Sequence, residues 1–132
     1  MQEFRVRTRA RTELVDITSE VCSAIGEEGV ESGVCLVYCP HTTAGITIQE
    51  NADPDVVADL LQELNKVVPF DDGYRHTEGN SAAHIKSSVI GCGEMLIIEG
   101  GRPVLGTWQG IYFCEFDGPR NRRVLVKCCG AA

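Results

Sequence analysis

"AGITIQENADPDVVADLLQELNKVVP", residues 44–69, holds two periodicities side by side. Residues 44–49 alternate, which predicts a half-buried strand. From Asn51 the pattern changes to a helical one. Asp53 suits the N-cap, Pro54 the first helical position and Asp55 the positive end of the dipole. Val56, Val57, Leu60, Leu61 and Leu64 make a stripe for burial, and Pro69 stops the helix. A strand running directly into a helix is the seed of an α+β reading.

The flanking segments extend it. "FRVRTRART" (4–12) alternates, with Phe4, Val6, Thr8 and Ala10 on one side and four arginines on the other. The arginines are either an anion patch or charges that discourage pairing at a sheet edge. Residues 16–29 read as a helix capped by Asp16, with Leu14, Ile17, Val21, Ala24 and Ile25 inward. "GVCLVYC" (33–39) is apolar on both faces, as in a central strand. Residues 70–79 read as a loop, and 80–91 as a short helix capped by Asn80. On it Ala82, Ile85 and Val89 share one face, and Asn80, Ser81, His84 and Ser88 another. The last third reads as two hairpins, 94–106 turned at Gly100 and Gly101, and 109–129 turned at 117–119. The order β-α-β-β-α-α-ββββ implies a single α+β domain over 1–132, a largely antiparallel (mixed) sheet packed with two to three helices.

Composition narrows the function classes. Twelve Lys and Arg against nineteen Asp and Glu give a net charge of -7. That balance argues against general nucleic-acid binding. No apolar run approaches the ~20 residues of a membrane span, so no membrane partner is expected. The N-terminus has no secretory h-region, and seven cysteines is an odd count. Together these imply a cytoplasmic protein with free thiols and no structural disulfide. Cys35 and Cys39, on one strand, would stand about 13 Å apart, too far to share a metal.

Polar groups of chemical interest cluster in few places. His41 leads into a strand, His76 lies in a loop and His84 early in a helix. Three converging imidazoles would suit zinc or another transition metal with an open position. Taken singly, each is an ordinary hydrogen-bonded histidine. Glu50 and Asn51 end a strand just before a helix; Glu50 is either a base or ligand, or an acceptor for helix amides. Glu115, on an apolar strand with Gln109, Ile111 and Phe113, is either buried and paired or at the sheet margin. Asp117 and Arg120 flank a tight turn; Arg120 can grip phosphate or carboxylate. No Walker loop, GxGxxG, GxSxG or CxxC occurs, which removes the nucleotide-loop, Rossmann, α/β-hydrolase and thioredoxin readings.

Three stretches, "HTTAGITIQENADPDV", "YRHTEGNSAAHIKSS" and "LGTWQGIYFCEFDGPRNRRV", resemble the secondary thiamine-phosphate synthase family. The resemblance covers nearly the whole chain. It implies a compact α+β fold, a homotrimer and a side activity joining a pyrimidine diphosphate to a thiazole phosphate. It carries His41, Thr42, Thr43, Glu50, Asn51, His76, Asn80, Ser81, His84, Gln109, Asp117 and Arg120 as functional positions.

On that basis His41, Glu50 and His84 are the expected catalytic groups. Thr42, Thr43, Asn51, Asn80, Ser81, Gln109, Asp117 and Arg120 are the expected substrate binders. His41, His76 and His84 are the candidate ligands for a divalent metal, Mg²⁺ or a transition metal such as Zn²⁺. The expected partner is a small phosphorylated metabolite. A metal-dependent hydrolase and a non-catalytic trimeric metabolite binder are the alternatives. In the transferase reading Arg120, Lys86 and Arg75 would neutralise diphosphate. His41 and Glu50 bracket a strand spanning ~20 Å, so one pocket joining them calls for a neighbouring subunit or a bent chain.

Overall fold

A computed structural model describes residues 1–131. In chain order the elements are β1 (Gln2–Arg7), β2 (Glu13–Asp16), α1 (Thr18–Glu28), β3 (Gly33–Tyr38), β4 (Ala44–Glu50), α2 (Pro54–Val67), α3 (Ser81–Ile90), β5 (Gly93–Glu99), β6 (Arg102–Pro103), β7 (Gln109–Glu115) and β8 (Asn121–Gly130). The strands form two sheets, a five-stranded one in the order β1-β8-β3-β5-β6 and a three-stranded one in the order β2-β7-β4. Every pairing is antiparallel. The fold is α+β, as the sequence implies.

The core lies where the inner faces of both sheets meet α1. Val6, Cys35, Val37, Leu96, Ile98, Val124 and Val126 from the large sheet pack with Ile46, Ile111 and Phe113 from the small one. Val21, Ala24 and Ile25 of α1 close it. The period-2 alternation of β1, β3, β5 and β8 supplies one inward residue in every two. All seven cysteines are free, three of them fully buried. Burial pushes the Cys35 and Cys114 thiols up to about 12. Among the described residues no helix is long and apolar enough to cross a membrane.

Several local expectations fail, each for a physical reason. The segment 4–16 is two strands, one in each sheet, with Glu13 accepting the Arg9 and Ala10 amides (2.6 Å each) at the break. Asp16 does not serve as the N-cap of α1. That position is Ile17, and Asp16 Oδ1 accepts the Thr18 amide and hydroxyl just inside. The chain at 109–129 is not a hairpin: β7 belongs to the small sheet and β8 to the large one. β3 is central but covered on one face only, so Val34, Leu36 and Tyr38 stay exposed. On α3 the buried residues are Ala82, Ala83, Lys86 and Ser87, while Val89 is 65% exposed.

The clearest sequence helix is the most loosely seated. Asp53 caps α2 by accepting the Asp55 amide (2.9 Å), with Pro54 at its first turn, yet none of its residues is fully buried. The stripe Val56, Val57, Leu60, Leu61 and Leu64 is half-covered. Lys86, fully buried, donates to Asn65 Oδ1 at 2.6 Å and lies 4.2 Å from the Phe70 ring, tying α2 and its following loop to α3. That anchor takes Lys86 out of the set expected to hold diphosphate.

Candidate functional site

Three chain segments converge at one end of the small sheet. They are the β3–β4 connection at 40–43, the start of α3, and the connection from β7 to β8. Between them lies a cleft of ≈ 410 Å³ walled by His41, Thr42, Thr43, Glu78, Asn80, His84, Asp117, Arg120 and Arg122. A neighbouring cleft of ≈ 530 Å³ shares His41, Thr42 and His84 and continues past Tyr38, Cys39 and Cys92.

Close backbone packing places α3. Ser87 Oγ donates to the Ala44 carbonyl (2.7 Å) and the Ile46 amide donates to the Gly91 carbonyl (3.1 Å). Gly45 makes this approach possible, because a Cβ there would stand 2.6 Å from the Gly91 oxygen. His84 is thereby held over the start of β4, opposite His41.

The cleft floor is a buried ion pair. Glu115 is fully buried and Arg122 is 4% exposed. Arg122 Nε donates to Glu115 Oε1 (2.8 Å), and its Nη2 donates to Glu115 Oε2 and to Thr43 Oγ1 (2.8 Å). Glu115 also accepts from Thr8 Oγ1 (2.7 Å) and the Asp117 amide (3.0 Å). Burial alone would raise the Glu115 carboxyl. The hydrogen bonds from Arg122, Thr8 and Asp117, with the Arg122 charge, outweigh it and hold the pKa below its ordinary value. Glu115 is therefore the buried and paired alternative of the sequence reading, and Thr43 holds Arg122 in place.

A second pair lies at the rim. Arg120 Nη2 donates to Asp117 Oδ2 (3.1 Å) and its Nε to the Asp117 carbonyl (2.8 Å). Asn80 Nδ2 donates to the same Asp117 oxygen (2.9 Å). Asn80 is the N-cap residue of α3, yet its side chain makes no cap bond. Its Oδ1 is buried without a partner. An acceptor in that state is costly unless a donor arrives from outside the chain.

The two cleft histidines differ. His41 Nε2 accepts the Arg123 amide N–H (3.0 Å), which requires a lone pair on that nitrogen. Burial lowers the His41 pKa, and the Arg122 charge lowers it further. His41 is thus a neutral ring carrying its proton on Nδ1, a fixed donor. Neither ring nitrogen of His84 has a hydrogen-bond partner among the described residues. Its ring meets His76 edge-on at 5.4 Å between centroids. Cys39 is no nucleophile here, because burial pushes its thiol up to about 11.

The metal expectation is corrected. Among the described residues no group of three or more His, Cys, Asp or Glu side chains is arranged to hold an ion. The Nε2 lone pair of His41 is already committed to an amide, and His76 is exposed, outside the cleft wall and 4.0 Å from Glu78.

The structure gathers His41, Thr42, Thr43, Asn80, His84, Asp117 and Arg120 around one cleft. Ser81 is the first residue of α3 and stands outside that wall. Glu50, Asn51 and Gln109 lie at the other end of β4 and β7. Glu50 pairs in register with Gln109, whereas Ala44 pairs with Glu115. Six residues of strand put the two ends ~20 Å apart. There Asn51 donates to Asp16 (3.3 Å), Gln109 accepts the Gly106 amide (2.8 Å) and Tyr112 donates to the Glu50 carbonyl (3.2 Å). Arg122 is the important residue the sequence reading missed. Its signal was available: Arg122, Val124 and Val126 alternate inward on β8, and a Glu on the apolar β7 needs a cation.

Comparison with known proteins identifies the lineage. The model of the UPF0047 protein YjbQ-like family matches residues 2–131. The UPF0047 protein YugU of Bacillus subtilis is 53% identical over 98% of this chain and 99% of its own length. A UPF0047 protein of Methanocaldococcus jannaschii is 53% identical over 97% of this chain and 93% of its own. A crystal structure of a YjbQ/UPF0047 protein from Clostridium acetobutylicum superposes with a TM-score of 0.95 at 54% identity, covering 98% of this chain and 100% of that one. These matches overturn the resemblance to a thiamine-phosphate synthase family, and with it the thiamine-biosynthesis expectation: the matching family model and these relatives carry the UPF0047 designation. The chain belongs to the UPF0047 family, in its YjbQ-like form.

Proposed function

We propose that the cleft binds a small phosphorylated metabolite and that His84 exchanges a proton with it. The observation that carries this reading is the division of labour along the cleft wall. Asn80, Arg120, Arg122 and His41 are each held on one side by the protein, and Asn80 Oδ1 is left buried with no donor. Groups fixed in advance in this way lose little entropy on meeting a ligand. The guanidinium group of Arg120 and the Nδ1–H of His41 supply donors for anionic oxygens. Asn80 Oδ1 accepts from a hydroxyl or amine elsewhere on the ligand. His84 lines the cleft with neither ring nitrogen hydrogen-bonded among the described residues, so it is the wall group placed to pass a proton to or from the ligand.

Titration calorimetry with a panel of small phosphorylated compounds tests this. Binding that weakens about tenfold or more in Asn80→Ala and His84→Gln, with both variants folded, is the expected result. Unchanged affinity in both variants would remove the cleft from the binding reaction.

The same reading includes a homotrimer in which one subunit's Glu50, Asn51 and Gln109 approach the next subunit's cleft. Two features support it. The strand arithmetic separates the two sets within one chain, and Val34, Leu36, Met95 and Ile97 leave the outer face of the large sheet apolar and exposed. A head-to-tail arrangement closes as a ring, of which three is the smallest. Sedimentation equilibrium reads the outcome, and a stable monomer at micromolar concentration would refute it. A cytoplasmic location also belongs to this reading, supported by seven free thiols.

A further inference from the structure

Outside these clefts, the end of β1, the residues after it and the turn before β8 border an open hollow of ≈ 500 Å³, lined by Arg7, Thr8, Arg9, Pro119, Arg120 and Asn121. Three of its six lining residues are arginines and none is acidic, in a chain whose net charge is -7. The two sides are stitched together. The Thr8 amide donates to the Arg120 carbonyl (2.9 Å), and the Arg120 amide donates to Thr8 Oγ1 (2.8 Å). Arg7 stands opposite Asn121 in the β1–β8 register.

Two of the three charges here, those of Arg7 and Arg9, are uncompensated. Among the described residues neither Arg7 nor Arg9 has a carboxylate within ion-pair distance, whereas Arg123 pairs with Glu3 (2.9 Å) and Arg120 with Asp117. Glu13, near in sequence, spends its carboxylate on the Arg9 and Ala10 amides. Edge protection accounts for Arg5, because β1 is an edge strand. It does not account for a turn that brings Arg120 beside Arg7 and Arg9. Like charges that fail to find acids cost energy until an anion joins them.

We propose that Arg7, Arg9 and Arg120 form an oxyanion subsite for a phosphate group. Guanidinium forks match phosphate oxygens two at a time, which suits a tetrahedral dianion better than a halide. Arg120 lines both this hollow and the cleft, so the anion is either a second phosphate on the cleft's ligand or free phosphate. The first form rests on the proposed role of the cleft; the charge of the hollow does not.

The experiment is calorimetric titration of the full chain with inorganic phosphate, then with a sugar monophosphate and a sugar bisphosphate. Wild type should bind phosphate with a dissociation constant on the order of 1 mM. Arg7→Gln with Arg9→Gln should weaken it about tenfold, and Arg5→Gln, one position outside the hollow, should leave it unchanged. All three side chains are exposed, so melting curves should coincide. A bisphosphate that binds more tightly than the monophosphate, and loses affinity in both the arginine double variant and His84→Gln, identifies a second group on the cleft ligand. Phosphate binding lost only in the arginine variant, with no advantage for the bisphosphate, identifies free phosphate. Equal losses in Arg5→Gln and the double variant would reduce the effect to general charge and overturn the subsite. So would phosphate binding that depends on Asn80 and His84 but not on Arg7 and Arg9, an outcome that leaves the cleft reading intact.

Discussion

Two arginine–carboxylate pairs are nested where β7 passes into β8, Glu115 with Arg122 on the strands and Asp117 with Arg120 on the connection between them, and they do opposite jobs. Arg122 and Glu115 have side chains 5% and 0% exposed, and neighbours occupy both Glu115 oxygens. Arg120 and Asp117 are 54% and 20% exposed, and their chemistry faces the cleft. The buried pair fixes the frame that joins the two sheets, while the rim pair is free to answer to a ligand. One stretch of sequence thus encodes both the rigidity of the site and its responsiveness.

The sharpest way to break this contrast is to remove one partner of the buried pair. Arg122→Met leaves a carboxylate in the core with its charge unopposed, and loss of one partner of such a pair costs about 3–5 kcal/mol. Urea unfolding of Arg122→Met should show that fall. Replacing both partners, with Glu115→Leu added, should restore much of it, because the orphaned charge is then gone. If the single variant loses less than about 1 kcal/mol, the pair is not the frame.

Acid probes the same pair without mutation. The folded state holds the Glu115 carboxyl below its ordinary value, so as pH falls the unfolded chain takes up the proton first. This contribution is complete above the unfolded pKa of ~4.3 and is lost as pH falls through the lower folded value. Melting temperature against pH should therefore drop steeply on the acid side in wild type, and less steeply in Glu115→Gln. Equal slopes would mean that Glu115 does not drive the acid limb.

His41 separates the pairs at milder pH. Its folded pKa lies below the ordinary ~6.5, so the unfolded chain again binds the proton first as pH falls. Its contribution is whole above ~6.5 and declines below, as the ring must charge and give up the Arg123 amide. The loss is that of about one hydrogen bond, ~0.5–1.5 kcal/mol. His41→Asn, which cannot titrate, should flatten the stability profile between pH 7 and 5. A wild-type profile already flat there would show that the ring never holds the amide as a neutral acceptor.

How much of this was legible depended on range. Asp53, Pro54 and the alternation of 44–49 specify α2 and β4 through local chemistry, and both appear where expected. The partition of β7 and β8 into different sheets was not legible, because "DGPRN" is sound hairpin chemistry and only long-range pairing with β1, β3, β2 and β4 decides otherwise. α3 misled through its composition. Ile85 and Val89 look like a core face, but the contact with β4 takes small residues, and Ala82, Ala83 and Ser87 provide it. For the site, polar residues in glycine-rich surroundings pointed to His41, Asn80, His84, Asp117 and Arg120. Strand length already set Glu50 and Asn51 apart from His41, but the residues could not reveal that an amide occupies His41 Nε2.

The rim pair should respond least in stability and most in binding. An exposed ion pair contributes about 0–1 kcal/mol, because water screens it and two side chains must be ordered to make it. Asp117→Asn keeps the shape and an acceptor oxygen while it removes the charge that holds Arg120 and orients Asn80. Melting temperature should move little. Affinity for the proposed phosphorylated ligand should still change about tenfold, since Arg120 loses the charge that tethers it and Asn80 is left with a weaker, neutral acceptor. Arg120→Gln should weaken the same ligand by a similar factor, and the double variant should add little more, because each change breaks one shared arrangement. Additive losses would show that Arg120 and Asp117 meet the ligand independently. A large fall in stability from Asp117→Asn would erase the difference between the two pairs and place the rim within the frame.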